Sequence, residues 1–217
     1  MYTPRPFLID DFAEIKEFVV KHPSITLVTV GEGAIPFATL LPSVWETENL
    51  STENFGQIIT HMSKGNQQWR EIASGDIGLA IVQGPQAYVS PTNYENKETD
   101  HKVVPTWNYQ TVHFTGTLEV IDDPARINEI VSHLTDFHEK NRAQPWATSQ
   151  TDPTYMANQL NAIVGIVLTV TKVEAKYKLS QNRSSHDQES VMWDLAKSSI
   201  SEEREISREM RRNLKNP

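Results

Sequence analysis

There is not one cysteine in the 217 residues. Disulfides, cysteine-ligated metals and a thiol nucleophile are therefore excluded, and the composition fits a reducing compartment. Basic charge is in deficit as well. Twenty Lys and Arg face 28 Asp and Glu, a formal net charge of −8. Such a chain gains little from counterion release, so direct binding to DNA or to anionic lipid is not expected. No apolar run approaches the roughly 20 residues that span a bilayer. The start, MYTPRPFLIDDF, lacks the apolar stretch of a signal peptide. The expectation is a soluble cytoplasmic protein. The common catalytic signatures are missing too: no Walker loop, no G-x-G-x-x-G, no H-E-x-x-H and no G-x-S-x-G.

What is present is a succession of short β-rich runs. Asp10 and Asp11 open a helix to about Lys21, with Phe12, Ile15, Phe18 and Val19 on one face. ITLVTV (25–30) and IPFATLL (35–41) flank Gly31-Glu32-Gly33-Ala34, a hairpin signal. QIITHM (57–62) reads as a strand, and SKGNQQWREIA as a helix starting near Ser63. IGLAIVQG (77–84) and AYVS (87–90) are extended, and the polar run 91–102 reads as a long loop. A strand then runs through VVPTWNYQTVHFTG to about Ile121. Asp122-Asp123-Pro124 starts a helix, residues 153–162 form a short one, and 162–179 is a long β run. From Ser184 the strand signals stop and the chain becomes polar and helix-prone. This order is not βαβ; it suggests a small antiparallel barrel with flanking helices over 1–183, and a helical C-terminal extension over 184–217.

Two stretches invite a chemical reading. At THMSKGNQQW (60–69) a strand ends in His61 and passes Ser63 and Lys64 into the expected helix start. Free N–H groups there, with a hydroxyl and an ammonium, make an anion site; an ordinary capped helix with an exposed lysine is the alternative. In 103–116 the amides Asn108 and Gln110 precede Val112 and Phe114 on one side of the strand. They form either the polar rim of a ligand pocket or a hydrogen-bonded plug at the barrel mouth or a dimer seam. Trp107, Tyr109, Thr111 and His113 point the other way, too aromatic a row for a solvated face. His133 and His138 are five residues apart on a helix, about 140° around its axis, and do not make a metal pair.

Taken together, VVPTWNYQTVHFTG, GPQAYVSP, NQQW, AIVG, KLSQNR, HEKNRAQPW and the YTPRPF start resemble the signatures of the PaiB family, over roughly residues 1–183. That family is described as FMN-binding negative transcriptional regulators with the FMN-binding split-barrel fold. The chain departs from its usual pattern with Gln67, Gln86, Asn93, Ala175 and Tyr177. The resemblance implies FMN as cofactor and a homodimer with flavin sites at the subunit interface. It implies that His61, Ser63 and Lys64 hold the phosphate, and that Thr39 and Leu40 line the flavin. Thr106, Trp107 and Asn108 would serve the ring's polar edge, and Gln181 and Arg183 the same site or the partner subunit. No catalytic residue and no metal ligand is implied.

Three functions follow: a regulator that senses or requires flavin, a flavin-dependent oxidoreductase, and a flavin-free dimeric barrel acting through protein partners. A DNA-reading protein would show a basic face and a reading helix. Only REMRRNLKNP clusters Arg208, Arg211, Arg212 and Lys215, with acidic residues close before it. A regulatory effect would therefore be indirect or would need a protein partner.

Overall fold

The computed structural model describes residues 1–48, 54–94 and 103–215. The strands are β1 (Leu8–Ile9), β2 (Ser24–Val30), β3 (Pro36–Glu46), β4 (Gln57–Ser63), β5 (Ile77–Val89), β6 (Thr106–Ile121) and β7 (Ile163–Lys178). The α-helices are α1 (Phe12–Lys21), α2 (Pro124–Glu139), α3 (Pro153–Asn161), α4 (Ser185–Ala196) and α5 (Ser201–Lys215). The strands hydrogen-bond in the order β1-β7-β4-β3-β2-β5-β6, and β6 also pairs with β7, so the order returns on itself. The fold is mainly antiparallel β with flanking helices, as the spacing of the runs predicts. Among the described residues no helix is long and apolar enough to cross a membrane. The part of the expected loop beyond Tyr94 lies outside the described residues.

The chain forms two compact units, and β5, β6 and β7 each contribute residues to both. The first comprises Met1–Ile15, Gln83–Val112 and Glu174–Pro217; the second comprises Lys16–Val82 and His113–Val173.

In the second unit, Gly31–Ala34 turns the chain so that Val30 faces Pro36 and β2 runs antiparallel to β3. β3 pairs with β4 only from Ser43↔Thr60 to Glu46↔Gln57. Beyond Ser43↔Thr60 the strands part company. β3 stays with β2, and β4 continues beside β7 to Ser63↔Ile163. Asp123 caps α2 by accepting the Arg126 N–H at 3.0 Å, with Pro124 fitted to the first turn. The α2 stripe Ile127, Ile130 and Leu134 packs with Val44, Ile59, Ile121, Leu160 and Val167. That apolar burial is the main favourable term holding the helix to the strands.

In the first unit, β1 pairs with β7 through Leu8↔Lys176 and Ile9↔Ala175. The helices α4 and α5 bury Val191, Met192, Leu195, Ile206 and Met210. Ser207 Oγ donates to the Met192 carbonyl at 2.7 Å and ties them together.

Two readings need correction. The helix expected from Ser63 is only a 3-10 turn, Gln67–Glu71, capped by Asn66. The β6 row expected to face outward is not uniform: Trp107 is exposed, Tyr109 and His113 are half-buried, and Thr111 is buried.

Candidate functional site

The side chains of His61 and Ser63 share one side of β4, because successive strand residues alternate. Burial holds the His61 imidazole below its usual 6.5, so it is neutral at neutral pH. Its Nδ1 is buried and meets no hydrogen-bond partner among the described residues. Ser63 Oγ accepts the Gly65 N–H at 3.1 Å, which leaves its own proton to donate. Lys64 Nζ stands 2.5 Å from Asp122 Oδ1, with both side chains partly exposed. Asp122 was legible only as part of a helix start; its role as the lysine's counter-ion required the fold.

The N–H groups expected to bind an anion are committed. That of Lys64 donates to the Ala162 carbonyl at 2.9 Å, and that of Asn66 to the Ser63 carbonyl at 3.0 Å. That of Gln68 donates to Asn66 Oδ1 at 2.9 Å. Any anion here would meet side chains, not a helix end.

The gap where β3 leaves β4 is filled by the 3-10 turn. Gln68 is buried, and its Nε2 donates to the Leu27 carbonyl at 3.0 Å and to Thr29 Oγ1 at 3.2 Å. Thr39 donates to Gln68 Oε1 at 2.5 Å and accepts from Asn66 Nδ2 at 2.9 Å. This locks the Thr39 hydroxyl beside Leu40, whose side chain is 71% exposed. Asn66 and Gln68 are thus positioning residues that the strand and helix patterns missed; the NQQW signature was their only sequence signal.

The remaining candidates lie in the first unit. Asn108 is fully buried; its Nδ2 donates to Ser180 Oγ at 3.0 Å and approaches Met210 Sδ at 3.5 Å. The Asn108 amide is thus held by hydrogen bonds within the first unit. Gln181 closes on its own turn, accepting the Leu179 N–H and donating to the Tyr177 carbonyl, both at 2.6 Å. Thr106 Oγ1 and the Trp107 carbonyl accept from Lys178 Nζ, at 2.6 and 2.5 Å. The Trp107 ring is half exposed and meets Tyr88 edge-on at 5.9 Å. Arg183 lies over the Tyr94 ring at 4.8 Å. The structure therefore brings Thr39, Leu40, His61, Ser63 and Lys64 into one unit, and Thr106, Trp107, Asn108, Gln181 and Arg183 into the other. A groove of about 410 Å³ in the first unit, lined among others by Asn93, His186, Trp193 and Asp194, contains none of them.

A family model described as "Putative FMN-binding domain" matches residues 1–172. The chain is 33% identical over 195 residues to the protease synthase and sporulation protein PAI 2 of Bacillus subtilis, covering 90% of this chain and 89% of that one. Among solved structures it is similar to an FAD and heme binding protein from Mycobacterium smegmatis, with a TM-score of 0.55 at 17% identity, covering 78% of this chain and 72% of the other. It is also similar to the flavocytochrome Anf3 from Azotobacter vinelandii, with a TM-score of 0.55 at 14% identity, covering 81% and 72%. At such identities the likeness carries the fold alone: a split barrel.

Proposed function

Because this chain belongs to the PaiB family of FMN-binding domains, we propose that its second unit binds FMN as a resident cofactor. The observation that carries this is the end of β4, where a buried, unpartnered His61 Nδ1 stands on the same side as the Ser63 hydroxyl, with Lys64 next in the chain. FMN fits this donor set. Its phosphate accepts hydrogen bonds and negative-to-positive contact, and its ring needs an apolar wall with a fixed polar group. His61, Ser63 and Lys64 would hold the phosphate. Leu40 would supply the wall, and the Thr39 hydroxyl, held by Asn66 and Gln68, the fixed group. Bound FMN supplies reversible electron transfer or a redox-sensitive shape, and this protein's own residues would orient it and exclude water. The cysteine-free composition supports a cytoplasmic setting.

Lys64→Ala tests this reading. The ammonium now serves a partly exposed carboxylate, a pair worth about 0–1 kcal/mol. A charge-assisted bond to a dianionic phosphate is worth about 1.5–3 kcal/mol. The net loss is expected to weaken FMN about tenfold and to leave riboflavin, which has no phosphate, unchanged. Asp122→Asn, which releases the ammonium, should tighten FMN. Flavin-fluorescence quenching reads both. Equal losses for FMN and riboflavin in Lys64→Ala would put the phosphate elsewhere.

A homodimer belongs to the same reading. Val30, Ile35 and Leu40 are exposed on the second unit, and Tyr88, Val104 and Trp107 on the first. Trp107 and Tyr88 meet edge-on at 5.9 Å and are both exposed, the kind of paired aromatic surface a second copy would cover. Light scattering at micromolar concentration should give twice the 24.6 kDa chain mass; a monomeric mass rejects this.

A further inference from the structure

The groove of about 410 Å³ in the first unit is used by no part of the flavin reading. It lies between α4 and the 3-10 turn Pro91–Asn93, and its volume is that of a small-ligand site. Asn93 ties the turn to the helix. Its Oδ1 accepts the Ser90 N–H at 2.7 Å, and its Nδ2 donates to Asp194 Oδ2 at 2.5 Å. That leaves Asp194 Oδ1 to accept from something else. Glu189, Ser190, Trp193 and Asp194 line the groove from α4, with Lys197 just past the helix end. Glu189 and Asp194 are five residues apart, about 140° around the axis. One carboxylate thus stands on each flank of the line Ser190, Trp193, Lys197. Glu189, Ser190 and Lys197 make no hydrogen bond or ion pair with any of the described residues. Trp193 stays 53% exposed, although Arg211 of α5, which does not line the groove, lies 5.1 Å from its ring.

An indole ring between two carboxylates suits a cation carried on a carbon stem. The carboxylates accept its N–H bonds, and the ring face attracts its charge. Two carboxylates against one ammonium favour a ligand with one more positive charge than negative. Along the helix, Lys197 lies about 8 Å beyond the midpoint of the two carboxylates, at 1.5 Å per residue. An extended basic amino acid covers that span between its side-chain cation and its carboxylate. We propose that the groove binds a free basic amino acid of the arginine type. Its side-chain cation sits between Glu189 and Asp194, its stem lies against Trp193, and its carboxylate meets Lys197.

Calorimetric titration of the full chain at low salt with L-arginine, L-argininamide and L-citrulline tests this. Wild type should bind arginine. Citrulline has the same shape without the side-chain charge and should give no heat. Glu189→Gln and Asp194→Asn should each weaken arginine about fivefold, the upper range for exposed ion pairs. Asparagine keeps an oxygen for Asn93, and Glu189 is exposed, so both variants should melt with the wild type. Trp193→Ala should weaken arginine by a similar factor. Lys197→Met should lower arginine to the level of argininamide, which lacks the carboxylate, and leave argininamide unchanged. Lys64→Ala should leave arginine binding as it is, which separates this groove from the flavin site. The proposal is overturned by an absence of heat with wild type at millimolar arginine, by citrulline binding as well as arginine, or by carboxylate variants that bind like wild type. Argininamide binding as tightly as arginine also overturns it, because the occupant would then be the side chain of a peptide.

Discussion

Gly116→Ala should cost about 3 kcal/mol of stability, at the upper end of the usual cost of overpacking. Its backbone lies against β7 so closely that an added Cβ would fall 2.0 Å from the Thr169 carbonyl oxygen and 2.7 Å from its carbon. Those are backbone atoms and have no rotamer to change. The strands would have to separate by more than an ångström along the β6–β7 pairing. Gly116 is extended, not left-handed, so the effect is purely steric. At about 2–4 °C per kcal/mol for a chain of this size, the melting temperature should fall roughly 6–12 °C. Gly33→Ala is the control. Gly33 has φ +69 with nothing within 4 Å of the added carbon. It meets only the left-handed penalty of roughly 1–2 kcal/mol. Circular dichroism melts compare them, and equal shifts would mean that β6 and β7 do not approach so closely.

The second large effect is expected for Gln68→Leu. Leucine keeps the volume of this buried side chain and strips its bonds to the Leu27 carbonyl, Thr29 and Thr39. Each buried polar group left without its partner costs about 1–3 kcal/mol. Thr29 is itself buried and Thr39 partly so, and a total near 3 kcal/mol follows from the lower half of that range. The hydroxyl of Thr39 also loses its fixed direction. FMN and riboflavin should therefore weaken together, by about tenfold, the opposite of the Lys64→Ala pattern. Chemical denaturation measures the first effect and fluorescence titration the second. A stable Gln68→Leu variant with unchanged flavin affinity would show that the turn does not hold Thr39 for a ligand.

Much of the fold was legible from local chemistry. Period-two alternation from Val112 to Leu118 places a buried face on β6, and Phe114 and Leu118 are buried there. Asp123 and Pro124 start α2 because a carboxylate can cap a free N–H and a proline needs none. Gly31–Ala34 makes a turn because Gly33 tolerates positive φ. These signals act over a few residues, and each survives into the folded chain. Where alternation failed, at Val120 and Ile121, a neighbour decided: Ile121 is drawn into the cluster under α2.

The candidate site was legible as residue types but not as partners. His61, Ser63 and Lys64 are adjacent in sequence, so their proximity was certain beforehand. That Lys64 would find Asp122, and that Asn108 would turn to Ser180 and Met210, 72 and 102 residues away, was not. The sequence by itself determined the acidic charge, the absence of thiol chemistry, the strand-rich order and the family. Only the tertiary structure decided that the helix after β4 shrinks to one turn, because Gln68 is pulled down to bond Leu27, Thr29 and Thr39. Periodicity reports which face of an element is buried, since burial is non-directional and scales with apolar area. A hydrogen bond or ion pair is directional and short, so its partner is chosen by where distant strands bring their side chains.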